Sequence, residues 1–144
     1  MEVISHGYSQ EDEENDIRSI ESIYLDSGGE FLIGFADGKL VAMGGFKIIE
    51  VGVAELKRMR IAPEIQGHGI GSELLWQLEF TARKKKLKKL VLETAMSRPK
   101  TLRFYRSHGY AETGENFYGS QKTICFEKTL EELPDKTADP TALD

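Results

Sequence analysis

Three glycines alternate over five positions in Gln66-Gly67-His68-Gly69-Ile70-Gly71, directly after one apolar run and directly before another. Glycine weakens regular structure by roughly 0.5–1 kcal/mol per residue, so three of them between two elements imply a use for bare backbone. The run before, Ala54–Ile61, reads as a strand. The run after carries Leu74, Leu75, Leu78 and Ala82 at i, i+1, i+4 and i+8. That spacing predicts a helix from Gly69 or Gly71 to Lys86, its stripe widened by Trp76 and Phe80. A helix start offers unpaired N–H groups and partial positive charge, and glycines ahead of it let a bulky anion approach. A phosphate cradle needs both.

Around this loop the chain reads as helix, three antiparallel strands, helix, strand, helix, strand. A short strand is expected at Val3–Ser5. A helix runs from about Gln10 to Tyr24, with Ile17, Ile20, Ile23 and Tyr24 at helical spacing and Ser27-Gly28-Gly29 ending it. Asp37-Gly38 between two apolar runs signals a hairpin. In Ala54–Ile61 the alternation breaks, with Leu56 out of phase with Met59 and Ile61, and a β-bulge would reconcile the two halves. "KKLVLET" is a strand. "RPKTLRFYRSHG" is a helix, with Pro99 in its first turn and Gly109 at its cap. "GYAETGENFYG" is irregular or hairpin-like, and "KTICFEKTL" is a last strand. The expectation is one domain over 1–133, with 134–144 a disordered polar tail. The class is α/β (α+β): a mixed, mostly antiparallel central sheet with helices on both faces.

Three phosphate-loop patterns compete. A Walker-type loop needs Lys-Ser or Lys-Thr after its last glycine, whereas Ser72-Glu73 follows Gly71 here. A dinucleotide fingerprint needs a third glycine where Ser72 stands, and a parallel βαβ setting, although Glu93 falls near its acidic position. The third pattern, Gln66-x-x-Gly69-x-Gly71, resembles the Q/R-x-x-G-x-G/A segment of the GCN5-related N-acetyltransferase (GNAT) superfamily. "AELKRMRIAPEIQGHGIGSELL" is similar to that family's strand, loop and helix, and "RFYRSHGY" to its later FY-x-x-x-G-F/Y segment. The resemblance covers about Phe31 to Leu130. It implies a GNAT-like fold and acetyl-CoA as co-substrate. Its pyrophosphate would lie on the amides of Gln66, Gly67, His68, Gly69, Ile70, Gly71 and Ser72. Its pantetheine arm would pair with the bulged strand at Met59, Arg60 and Ile61, and the helix bearing Thr101 would lie beside it.

Acetyl transfer to an amine needs a neutral amine, a polarised carbonyl and a tolerated thiolate. By the resemblance, Glu55 is the candidate base; the alternative is a solvent-facing strand residue paired with Lys57. Tyr105 is the candidate acid, or a donor that orients the sulfur; the alternative is a core aromatic packed with Leu102. Arg98 stands where the family often has asparagine, and Thr101 where it often has alanine. His68 is expected to offer its backbone N–H with its ring in solvent. His108 reads as structural, and Cys125 as a small core residue.

The net charge of −5 argues against nucleic acid as a partner. One cysteine allows no internal disulfide, and no metal spacing is seen, so no metal is expected. No apolar run approaches the roughly 18 residues of a membrane span. The acidic opening "MEVISHGYSQEDEEND" lacks the order of a secretory leader. These features lead to the expectation of a cytoplasmic N-acetyltransferase. It would move an acetyl group to a primary amine of a small molecule or peptide by direct transfer in a ternary complex. A non-catalytic acyl-CoA sensor is the alternative. "RKKKLKK" reads as a solvated helix end, and the acids between Glu11 and Asp16 as a solvated helix start or a lip attracting cationic amines. A homodimer through an open sheet edge is allowed.

Overall fold

The computed structural model describes residues 21–133. The strand expected at Val3–Ser5, most of the helix from Gln10, and the tail from 134 lie outside the described residues. What is described of that helix is one π-helical turn, Glu21–Leu25.

Six strands form a single sheet in the order β1-β2-β3-β4-β6-β5. They are β1 (Glu30–Ala36), β2 (Lys39–Glu50), β3 (Val53–Ile61), β4 (Lys89–Ala95), β5 (Ala111–Tyr118) and β6 (Gln121–Thr129). Neighbours are antiparallel except β3 and β4, which run parallel. A parallel pair needs a long crossover. Helix α1 (Ile70–Lys84) supplies it, and the shorter α2 (Pro99–Ser107) joins β4 to β5.

Local chemistry sets these boundaries. Asp37 (φ 51°) and Gly38 (φ 78°) close the first hairpin with both residues left-handed, as a tight two-residue turn requires. Pro63 opens a 3-10 turn after β3, and Pro99 opens α2. Helix α1 buries Leu74, Leu75, Leu78 and Ala82 against β2 and β3, together with Glu79. Complete burial of a leucine such as Leu78 contributes about 2 kcal/mol. Trp76 and Phe80 stack in parallel 5.4 Å apart on the helix flank, with Trp76 57% exposed, so they widen the stripe only at its edge. On the opposite face Tyr24 packs edge-on to Phe31 at 5.0 Å.

Two expectations are revised. The stretch after Gly109 is a regular strand, β5, antiparallel to β6 from Ala111↔Glu127 to Tyr118↔Gln121. Cys125 is half-buried on the face away from α1 rather than a core residue. No described helix is long and apolar enough to cross a membrane.

Candidate active site

Strands β3 and β4 pair only over Val53–Glu55 and Lys89–Val91. Beyond Glu55 they part, so the edge of β3 from Leu56 to Ile61 loses its β4 neighbour. The expected bulge lies here. Met43 faces Arg60 and Gly45 faces Lys57, so Gly44 alone opposes two residues, and Arg58 takes φ 61°. The extra residue brings Met59 and Ile61 onto the α1 face along with Leu56, which explains the broken alternation.

The glycine loop closes one end of this gap. The first bond into α1 runs from Glu73 N to Gly69 O at 3.0 Å, so the amides of Ile70, Gly71 and Ser72 have no helical carbonyl to donate to. The N-cap, Gly69, is left-handed and gives no side-chain cap. Gly67 (φ 85°) and Gly69 (φ 82°) need glycine for their backbone angles, and a Cβ on either would meet nothing within 4 Å. Gly71 differs: its backbone is helical, and a Cβ there would meet Phe104 of α2 at an ordinary 3.4 Å. Gln66 anchors the loop, its Nε2 donating to the Ile61 carbonyl at 2.9 Å.

From the loop a groove of about 1060 Å³ runs to the start of α2. Met59 and Ile61 form its strand side, Gln66, Gly67, Gly69, Gly71 and Ser72 its loop end, and Ser97 to Thr101 its far side, with Phe104 and Tyr105 beneath. Among the described residues, Arg98 and Lys100 line it and no carboxylate does, so that lining suits an elongated anion. Tyr105 is buried between Phe104, Tyr110 and Phe126, and its hydroxyl has no hydrogen-bond partner among the described residues. Burial raises its phenol pKa above the ordinary value, so the group stays protonated.

Where β3 and β4 part, a second cavity of about 10 Å³ borders Met59, Thr101 and Tyr105 from the other side. Glu93 and Thr94 also line it. Glu93 accepts from Tyr118 OH at 3.1 Å, from Asn116 Nδ2 at 3.3 Å and from Thr123 Oγ1. Glu55 lies on the same face, level with Val91 in the ladder, and borders neither cavity.

Of the residues singled out in the sequence, Met59, Ile61, Gln66, Gly67, Gly69, Gly71, Ser72, Thr101 and Tyr105 are brought to the groove. Arg60, His68 and Ile70 do not line it. Arg60 pairs with Met43 and is buried, and the His68 ring turns back toward the Ile65 carbonyl at 3.3 Å. Lys100 and Phe104 belong to the helix that the resemblance places beside the cofactor, and both line the groove, whereas the place of Glu93 beside Tyr105 was missed. So was the role of His108. Its Nδ1 donates to the Phe104 carbonyl at 2.7 Å, leaving Nε2 to accept from Ser72 Oγ at 2.8 Å and tie α2 to the first turn of α1.

Residues 2–110 match the Acetyltransferase (GNAT) family. A relative named as an IAA acetyltransferase from Azospirillum brasilense is 36% identical over 85 residues, 58% of this chain. The match spans 56% of that relative's own length, little more than half. Among solved structures, a GNAT-family acetyltransferase from Staphylococcus aureus Mu50 superposes with a TM-score of 0.77 at 21% identity, covering 86% of this chain and 81% of the other. A GNAT-family acetyltransferase from Elizabethkingia anophelis with acetyl-CoA bound gives 0.67 at 20% identity, covering 90% and 96%. At these identities the structures establish the fold alone. With the family matched over three quarters of the sequence, on a sheet that parts beside a glycine-loop helix start, the chain belongs to the GNAT acetyltransferase family.

Proposed function

We propose that the protein transfers the acetyl group of acetyl-CoA to a primary amine of a small molecule or peptide, directly, with both substrates bound at once. The observation that carries this reading is the set of helix-start amides at Ile70, Gly71 and Ser72, opening onto a groove that ends at Tyr105 and whose described lining carries Arg98 and Lys100 and no carboxylate. Such amides bind a diphosphate well, and the open space above Gly67 and Gly69 leaves room for one. Acetyl-CoA fits the chain's residues in this way, and it supplies the activated acyl group.

The residues then divide the work. The Gly67–Ser72 amides hold the diphosphate, with Arg98 and Lys100 adding positive charge. The edge of β3 at Met59 and Ile61, which face the groove where β4 has parted from the strand, would lie along the amide-bearing arm. Tyr105 presents its hydroxyl to the departing sulfur. A phenol with a raised pKa is a much weaker acid than a thiol, so it stabilises the thiolate by a hydrogen bond rather than by surrendering its proton. The proton lost by the amine goes to the carboxylates of the open face. Glu93 borders the small cavity and takes it first; the negative charge of Glu55, the candidate from sequence one strand away, favours that protonation. Holding two substrates in line supplies much of the rate.

The test is calorimetry with acetyl-CoA, followed by thiol release over a panel of amines. Micromolar binding with turnover on a primary amine is expected. Binding without turnover on any amine would favour an acyl-CoA sensor, and no binding at millimolar acetyl-CoA would end both readings.

A further inference from the structure

Ser72 in the first turn of α1 meets His108, the C-cap of α2. Ser72 lines the groove, and His108 stands behind it, outside the lining. Ser72 Oγ lies 2.8 Å from His108 Nε2, in a part-buried contact. Which of the two donates is decided on the far side of the ring. Nδ1 is 2.7 Å from the Phe104 carbonyl, which can only accept. Ser107 Oγ, 3.1 Å from Nδ1, gives its own hydrogen to the same carbonyl at 2.8 Å. Nδ1 therefore keeps its hydrogen in either charge state of the ring, and only Nε2 changes. The Phe104 ring packs on the imidazole, with centroids 4.4 Å apart.

A neutral ring offers a lone pair at Nε2, so Ser72 spends its hydroxyl hydrogen there. The oxygen then turns lone pairs to the groove, which an anion cannot use. A protonated ring donates from Nε2 to Oγ instead, and the hydroxyl hydrogen is free to meet an anion. The charged groups on the elements packed around the ring have other partners. Lys128 of β6 donates to the His108 carbonyl at 2.9 Å and to Glu79 of α1 at 3.0 Å. Glu73 of α1 accepts from Gln77 at 2.9 Å, and Arg106 of α2 bonds Glu112. Among the described residues, Nε2 has one partner, Ser72.

We propose that His108 is a positioning residue for the diphosphate of acetyl-CoA: through its proton it decides whether the Ser72 hydroxyl donates to that anion or turns away from it. This rests on the acetyl-CoA reading above and adds to it a control by pH. The coupling is reciprocal, so an anion at the start of α1 draws a proton onto His108, and a proton on His108 tightens the anion. Histidine is the side chain that ordinarily changes charge between about pH 5 and 8. Cofactor affinity therefore gains from the Ser72 hydroxyl at the acid end of that range and not at the alkaline end. The proton comes from solvent on binding and returns to it on release.

The test is calorimetry with acetyl-CoA at pH 6.0 and pH 8.5 on the wild type, Ser72→Ala, His108→Asn and the double variant. Titration of the ligand itself is common to all four, so affinities are compared at one pH at a time. The wild type is expected to bind about tenfold more tightly than Ser72→Ala at pH 6.0, and within about twofold of it at pH 8.5. Asparagine keeps a donor toward the Phe104 carbonyl but neither reaches Ser72 nor titrates. In the His108→Asn background, removing the hydroxyl should therefore cost the same at both pH values. A tie that only braces α1 against α2 would shift the melting temperature and leave the Ser72→Ala ratio equal at the two pH values. That equality overturns the proposal, as does a ratio that still changes with pH in the His108→Asn background, while the acetyl-CoA reading stands. Should His108→Asn fail to fold, the wild type against Ser72→Ala decides. If acetyl-CoA does not bind the wild type at either pH, that reading falls and this one with it.

Discussion

Gln66 reaches back across the loop and donates from Nε2 to the main-chain carbonyl of Ile61 at 2.9 Å. The bond joins the two walls that a diphosphate and the arm attached to it would have to span. Gln66→Ala should cost about 1 kcal/mol of stability, the usual net worth of a partly buried hydrogen bond. Acetyl-CoA affinity should fall several-fold further than that loss explains, because the loop is no longer preorganised. Gln66→Arg, which keeps a donor, should recover most of the affinity. Denaturant unfolding and calorimetry on the two variants check this.

The loop glycines should respond differently to alanine. At Gly69, φ 82° puts an L-residue in left-handed backbone at a cost of about 1–2 kcal/mol, and acetyl-CoA binding should weaken as the amides turn. At Gly71 the backbone is helical and the new methyl would touch Phe104 at an ordinary 3.4 Å. Gly71→Ala should therefore be neutral, or stabilising by up to about 1 kcal/mol from helix propensity. Thermal unfolding of the pair separates the two roles.

That difference also marks how far the sequence could be read. Asp37-Gly38, the broken phase of Leu56 against Met59, and the stripe from Leu74 to Ala82 are local signals, and each became the element it implied. β5 gave no such signal because all eight of its residues are exposed; backbone bonds to β6 hold it, not an apolar face. Glu79 reads as a surface residue at a helical position, yet it is buried because Tyr110 and Lys128, 31 and 49 residues away, arrive to pair with it. Glu93 was readable in part. Leu90 and Leu92 alternate with Val91 and Glu93, which puts Glu93 on the face away from the core. Its nearness to Tyr105 depends on where β3 and β4 part, which no local pattern states.

Tyr105→Phe separates chemistry from packing. The hydroxyl makes no hydrogen bond with a described residue, so its removal should leave stability within about 0.5 kcal/mol. Turnover should fall about 10- to 100-fold, with acetyl-CoA affinity unchanged, if the phenol steadies the departing sulfur. Steady-state kinetics with calorimetry give both numbers, and wild-type turnover in the variant would remove the role.

Tyr105 and Tyr110 should also make the fold sensitive to alkali. Both phenols are raised in the folded state, Tyr105 by burial and Tyr110 by burial and then by the Glu79 charge. Above pH ~10 the unfolded chain loses protons that the folded one keeps, so stability falls as pH rises, by up to about 1.4 kcal/mol per pH unit for each group. Below pH ~10 neither residue contributes a slope. Urea unfolding at pH 9, 10 and 11 should show the decline, with Tyr105→Phe removing about half of it.

Glu79 tests the link between α1 and β6. Its carboxylate accepts from Tyr110 OH at 2.7 Å and from Lys128 Nζ at 3.0 Å, while Arg83 stands off at 3.8 Å. Lys128 also donates to the His108 carbonyl at 2.9 Å, so one ammonium holds both the helix carboxylate and the end of α2. Lys128→Met keeps the length of the side chain but leaves the carboxylate short of a cation, a change that costs 3–5 kcal/mol at fully buried pairs. About 2–3 kcal/mol is expected here, because the Lys128 side chain is 24% exposed and Arg83 can move closer. Adding Glu79→Gln to Lys128→Met should restore part of the loss, since the orphaned charge is then gone. The double-mutant cycle read by denaturant unfolding gives the coupling directly, and strict additivity of the two changes would mean that the pair does not act as one unit.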